Sequence, residues 1–290
     1  MGTAAGNAGQ IMPADGEVRR VHVNGIDLHV VLAGAGEPLL LLHGFPDSAK
    51  LWRTMIPLLV AAGFRVIAPD QRGFGESSAP ADVAAYAIDT IVADAVALLD
   101  ALGIACAGLI GHDWGAIIGW RLIADHPDRF TRFVALTVGH PNALAAAGWR
   151  QRRRSWYVTL FRVPWLAETL LRANNFRNFG WMTGETEVAG WRRDLARPAR
   201  LTAALNWYRA NFARLLDGSF PRARVPVLGI IGTTDVALTV GQMTDSGRFV
   251  DAAFTAHVLP GAGHWLPLHA ADAVAALALP FLTPAAAPDG

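Results

Sequence analysis

Short apolar runs bounded by glycine or aspartate recur along this chain, and Pro38-Leu39-Leu40-Leu41-Leu42 is the clearest of them. A run that is apolar at every position reads as a strand covered on both faces, the condition of strands in a parallel sheet. Strand candidates lie at 17–23, 27–33, 38–42, 65–69, 106–111, 133–138, 226–232 and 254–259. Helical patterns fall between several of them, at about 49–62, 85–102, 115–125 and 269–281. Strand and helix in alternation predict an open α/β sheet with short crossovers. There is no internal repeat.

A length of 290 residues suits one core with a sizeable insertion better than two independent domains. Hydrophobic residues make up 52% and charged residues 17%, which excludes a disordered chain. The apolar excess comes largely from 52 alanines. No stretch approaches the roughly 18 uninterrupted apolar residues of a spanning helix, so no membrane insertion is expected. Residues 1–16 lack a basic start and an apolar stretch, and read as a flexible arm rather than a secretory signal. A single cysteine, Cys106, cannot form an internal disulfide and fits a reducing cytoplasm. A net charge of +1 gives no general reason to expect nucleic acid. Residues 17–140 and 217–282 then form the core, and 283–290 a loose tail.

The alternation breaks at 141–216, a helical block holding six of the ten tryptophans and thirteen arginines against four acids. Inserted between two sheet strands, it is expected to cap the carboxyl edge of the sheet, where ligands bind in such folds. Most of its aromatics have ordinary packing as their plainer explanation. The run Arg150-Gln151-Arg152-Arg153-Arg154 reads as a solvated helix face rather than a nucleic-acid site.

Strand 106–111 runs into Gly111-His112-Asp113-Trp114-Gly115 and then a helix. Small residues two before and two after a central side chain permit the sharp strand-to-helix turn of a nucleophile elbow, here with Asp in place of Ser. The plainer reading makes Asp113 a helix N-cap. A triad on this plan needs an acid and then a histidine downstream. Asp235 follows strand 226–232, and His264 follows strand 254–259 in Gly261-Ala262-Gly263-His264-Trp265. His43-Gly44-Phe45-Pro46 follows the third strand, so the backbone N–H groups of Phe45 and Trp114 are the expected oxyanion hole.

In His43-Gly44-Phe45-Pro46, in Asp70-Gln71-Arg72-Gly73-Phe74-Gly75-Glu76-Ser77, in Gly111-His112-Asp113-Trp114-Gly115 and in Gly263-His264-Trp265, the chain resembles the α/β-hydrolase-fold epoxide hydrolases. The resemblance spans roughly 17–282 and implies an eight-stranded, mostly parallel sheet flanked by helices, with a helical cap. A carboxylate, with a reference pKa of about 3.9, is already ionised at neutral pH and can displace a leaving group from saturated carbon. Water activated by His264, itself oriented by Asp235, can then hydrolyse the resulting ester. An epoxide oxygen leaves as an alkoxide and needs a proton donor, and a tyrosine can supply it. Of three tyrosines, Tyr208 in Asn206-Trp207-Tyr208-Arg209 and Tyr157 in the segment 157–168 resemble the two cap tyrosines of that family. Alone, either could be a packing aromatic.

The expected function is therefore hydrolysis of a small hydrophobic epoxide by water, without cofactor or metal. Phe45, Trp114, Trp156, Trp207 and Trp265 are the expected substrate contacts. Two other readings stay open: a hydrolytic dehalogenase of the same fold, and a non-catalytic protein holding a small ligand. The sequence leaves a homodimer open.

Overall fold

The computed structural model describes residues 16–181 and 185–283; the expected arm, but for Gly16, and the expected tail beyond Thr283 lie outside them. The eight strands are β1 (Glu17–Val23), β2 (Ile26–Ala33), β3 (Glu37–Leu42), β4 (Phe64–Pro69), β5 (Ala107–His112), β6 (Phe130–Leu136), β7 (Val227–Gly232) and β8 (Phe254–Leu259). They form one sheet in the order β1-β2-β4-β3-β5-β6-β7-β8. β1 pairs with β2 and β2 with β4 antiparallel, and every other pairing is parallel. Leu39 to Leu42 are at most 1% exposed, as an all-apolar central strand requires.

The core helices are α1 (Met55–Ala61), α2 (Ile88–Ala101) and α3 (Trp114–Asp125). Six more lie between β6 and β7: α4 (Pro141–Ala146), α5 (Gly148–Arg154), α6 (Trp156–Phe161), α7 (Leu166–Arg172), α8 (Glu185–Leu195) and α9 (Arg200–Leu216). α10 (Val240–Thr244), α11 (Leu266–His269) and α12 (Ala271–Leu282) complete the set. No described helix is long and apolar enough to cross a membrane.

Two expected elements are placed differently. The helix expected at 49–62 is a 3-10 turn, Ala49–Arg53, followed by α1. Pro57 lacks an N–H and so fits only in the first turn of a helix, which forces a new start near Met55. The strand expected at 133–138 begins at Phe130, because the polar pair Thr131 and Arg132 masks its apolar alternation. It ends at Leu136 because Thr137 has φ 69°, outside the strand region.

The helical insertion is fastened to the core by polar contacts. The Trp207 indole donates to the Arg72 carbonyl at 3.0 Å, and Asn211 bonds the backbone of both Tyr86 and Ile88. Lys50 pairs with Asp194, Arg53 with Glu187, and Arg197 with Glu76. All these partners lie near the carboxyl ends of β3 and β4, so the insertion sits over that edge of the sheet.

Candidate active site

Asp113 stands at the carboxyl end of β5 with φ 54° and ψ −119°, a conformation that L residues rarely adopt. The sequence permits this turn because of its glycines. A Cβ on Gly115 would lie 1.9 Å from the Leu42 carbonyl oxygen, and one on Gly111 would lie 2.4 Å from that of Gly115. The strain lifts the side chain out of the sheet edge. Asp113 makes no side-chain cap to α3, which removes the plainer reading of this residue. Its Oδ1 instead accepts from the Phe45 N–H at 2.9 Å, and the Trp114 N–H, next in the chain, also favours the ionised carboxylate. The two backbone donors expected from the sequence thus converge on Asp113.

Asp235 and His264 arrive from the ends of β7 and β8. His264 Nδ1 lies 2.8 Å from Asp235 Oδ2, and its Nε2 lies 3.7 Å from Asp113 Oδ2. Asp235 is 1% exposed, and its other oxygen accepts from the N–H groups of Ala237 and Leu238 at 2.8 and 2.9 Å. That leaves it one orientation, and through it one orientation for the imidazole. Burial by itself would lower the pKa of His264. The charges of Asp235 and Asp113 and the hydrogen bond to Asp235 outweigh it and hold the pKa at about 10. Burial likewise would raise Asp113, but the nearby charge of His264 holds its carboxyl below the usual range.

His112, one residue before Asp113, was not among the expected site residues. It is buried, its Nε2 donates to the His264 carbonyl at 3.0 Å, and its ring lies 4.9 Å from the His264 ring. Burial and the neighbouring imidazole push its pKa down to about 4, so it is a neutral strut under the histidine loop.

The insertion brings Tyr157 from α6 and Tyr208 from α9 to the same place. The Tyr208 ring meets Trp114 at 5.1 Å, Phe45 at 5.4 Å and Phe161 at 5.0 Å. Tyr157 meets Phe161 at 5.3 Å. Burial first, and then the charge of Asp113, push both phenols well above their ordinary pKa. Both hydroxyls therefore stay protonated in the field of the carboxylate. Phe161, wedged between Phe45 and the tyrosines, went unlisted at the sequence level; it sits one helical turn from Tyr157, and that spacing was the available signal.

Of the expected substrate contacts, Phe45 and Trp114 lie beside Asp113. Trp207 lies behind Trp114, packed between it and Phe74. Trp265 meets the His264 ring edge to face at 4.7 Å, with its indole N–H turned to Asp47. Trp156 is a correction: it is 59% exposed and lines a groove on the outside of the molecule. Successive helical residues point about 100° apart, so the turn that aims Tyr157 and Phe161 inward aims Trp156 outward.

Asp47, just past the Phe45 loop, also went unnoticed in the sequence. Its two oxygens accept the indole N–H groups of Trp191 from α8 and Trp265, each at 2.8 Å. Burial pushes its pKa up to about 7 against the pull of both indoles. One carboxyl thus ties the insertion to the histidine loop. Among the described residues, no group of three His, Cys, Asp or Glu side chains is disposed to hold a metal ion.

Residues 37–271 match the family described by the α/β-hydrolase fold. The chain is 34% identical to epoxide hydrolase A of Mycobacterium tuberculosis, over 91% of this chain and 97% of that one. It is 33% identical to mouse epoxide hydrolase 3, over 85% of this chain and 71% of the other. Among solved structures, epoxide hydrolase A of Mycobacterium thermoresistibile superposes with a TM-score of 0.82 at 30% identity, covering 92% of this chain and 98% of that one. The chain belongs to the α/β-hydrolase fold family and, within it, to the epoxide hydrolases.

Proposed function

We propose that this protein hydrolyses an epoxide to a vicinal diol through an ester on Asp113, with residues 141–216 as a cap that supplies the proton donors. The observation that carries the reading is the pairing across the site. An ionised carboxylate that accepts from the Phe45 N–H shares one site with two phenols that remain protonated in its field.

In the first step one Asp113 oxygen attacks an epoxide carbon, and the carbon–oxygen bond of the ring breaks. The oxygen takes a proton from Tyr157 or Tyr208. A phenol with a raised pKa can still serve, because an alkoxide is about as basic as hydroxide, whose conjugate acid has a pKa of about 15.7. In the second step water, losing a proton to His264, attacks the carbonyl carbon of the ester. The N–H groups of Phe45 and Trp114 take up the oxyanion, each worth about 3 kcal/mol. Collapse expels the diol as an alkoxide that takes the proton back from His264, and the acid left on Asp113 then passes its own proton to the imidazole, restoring the carboxylate.

The His264 pKa suits this order. In the free enzyme the imidazole keeps its proton, held partly by the charge of Asp113. Esterification removes that charge and lowers the pKa, so the imidazole can pass its proton to the tyrosinate left by ring opening. The histidine thus becomes a base only after the first step has made a base useful.

The dehalogenase reading predicts N–H donors around a leaving halide, whereas the groups facing Asp113 here include two phenols. The test compares diol formation from styrene oxide with halide release from a bromoalkane. Diol without halide supports the proposal, and halide release without diol overturns it.

A further inference from the structure

The outer side of the insertion carries chemistry that the reaction leaves unused. Trp149 is 66% exposed and Trp156 59%, two large apolar rings left open to solvent on the same groove. With Arg150, Arg153, Arg154 and Val236 they line one open groove of about 1000 Å³, between α5, the start of α6 and the loop after β7. The Arg150 guanidinium lies 5.9 Å from the Trp149 ring centroid. No Asp or Glu occurs between Asp128 and Glu168, and Asp245 is the single acid lining the groove.

We propose that this groove is a docking face for an anionic phospholipid surface. Tryptophan presented together with arginine is the composition of elements that settle at the headgroup level, the indole entering the boundary while the guanidinium meets phosphate. A second copy fits poorly. A two-fold contact sets a patch against itself, and here that would oppose three arginines with three arginines across only one acid per side. The face is also firmly mounted. Gln151 on α5 donates to the Ala237 carbonyl at 2.9 Å and accepts from the Thr239 N–H at 2.8 Å. Arg154 donates to the Asp235 carbonyl at 2.7 Å and to that of Leu238. Docking rests on this surface and not on the reaction proposed above; apolar epoxides partition into lipid, so it would bring the site to its substrate.

The test is co-sedimentation of the full chain with phosphatidylcholine vesicles, alone or mixed equally with phosphatidylglycerol. The wild type should bind the mixed vesicles, not the neutral ones, and binding should weaken as salt shortens the screening length. Arg150→Gln and Arg153→Gln should each cost about fivefold, and Trp149→Ser should cost more than either. All three should keep the melting temperature and the turnover of a water-soluble epoxide, because none touches Asp113, His264 or the tyrosines. Arg154 is left intact because it holds the acid loop. Failure of the wild type to bind anionic vesicles at low salt would overturn the proposal. So would unchanged binding by the variants, or release from vesicles by inorganic phosphate at low concentration. Loss of a wild-type dimer in the same variants would assign the groove to a second copy instead.

Discussion

At the edge of the sheet, Asp113, Asp235 and His264 are held by directed hydrogen bonds, whereas Tyr157, Phe161 and Tyr208 meet across from them through ring contacts. The first arrangement depends on backbone N–H groups and glycine-permitted turns, and a side chain there has one usable position. The second depends on the shapes of six inserted helices. Hydrogen bonds fix direction, but packed rings fix only volume. The carboxylate side is therefore built to one geometry, and the aromatic side can be re-cut to suit a different epoxide.

The sharpest way to break this contrast lies on the carboxylate side. His264→Gln should abolish turnover while leaving Asp113 able to attack, since the first step needs no base. Intact mass spectrometry should then find a substrate-sized adduct on Asp113. A variant that binds epoxide yet forms no adduct would remove the division of labour.

On the aromatic side the losses should be graded. Tyr157→Phe and Tyr208→Phe should each slow ring opening by about 10²-fold, the lower end for a general acid, because the other phenol remains. The double variant should lose about 10⁴-fold or more, while melting within a few degrees of wild type. Pre-steady-state alkylation measures all three. A folded double variant that opens epoxides at the wild-type rate would reduce the tyrosines to packing.

How much of this was legible in the sequence follows the same divide. Asp113, Asp235 and His264 could be placed because glycines and strand ends announce them in order. The Phe45 and Trp114 N–H groups followed from the fold those residues imply. Trp156 was misplaced because composition locates an aromatic on a helix but not its face. Phe161 and Asp47 were missed for a related reason. Phe161 is one apolar residue among many, and Asp47 acquires its meaning only when Trp191, 144 residues away in sequence, folds over it. The starts of α1 and β6 shifted through Pro57 and the Thr131-Arg132 pair, local effects that a reading by periodicity passes over.

Asp47 spans the two regions and offers a smaller, sharper effect. Asp47→Ala removes the acceptor of two buried indole N–H groups, at about 1–3 kcal/mol each, and should lower stability by about 2–5 kcal/mol in denaturant melts. A loss under about 0.5 kcal/mol would mean that the carboxyl does not tie the insertion to the histidine loop. The smallest effect is a drift with pH. The folded pKa of His264, about 10, exceeds its unfolded value of about 6.5. Its stabilisation is complete below pH 6.5 and is lost as pH rises through 10. The melting temperature should fall between pH 7 and 10 in the wild type, and by less in His264→Gln. Equal slopes would detach the imidazole from the two carboxylates.

The central claim is that water attacks an ester on Asp113 rather than the epoxide itself, and a single turnover in H₂¹⁸O reads it directly. Attack on the ester carbonyl leaves the solvent oxygen in the Asp113 carboxylate and gives the diol an oxygen that came from the protein. With enzyme in excess over epoxide, the diol should therefore be unlabelled, and the peptide containing Asp113 should carry one ¹⁸O in place of one ¹⁶O. A diol labelled in that first turnover, with the peptide unchanged, would contradict the account.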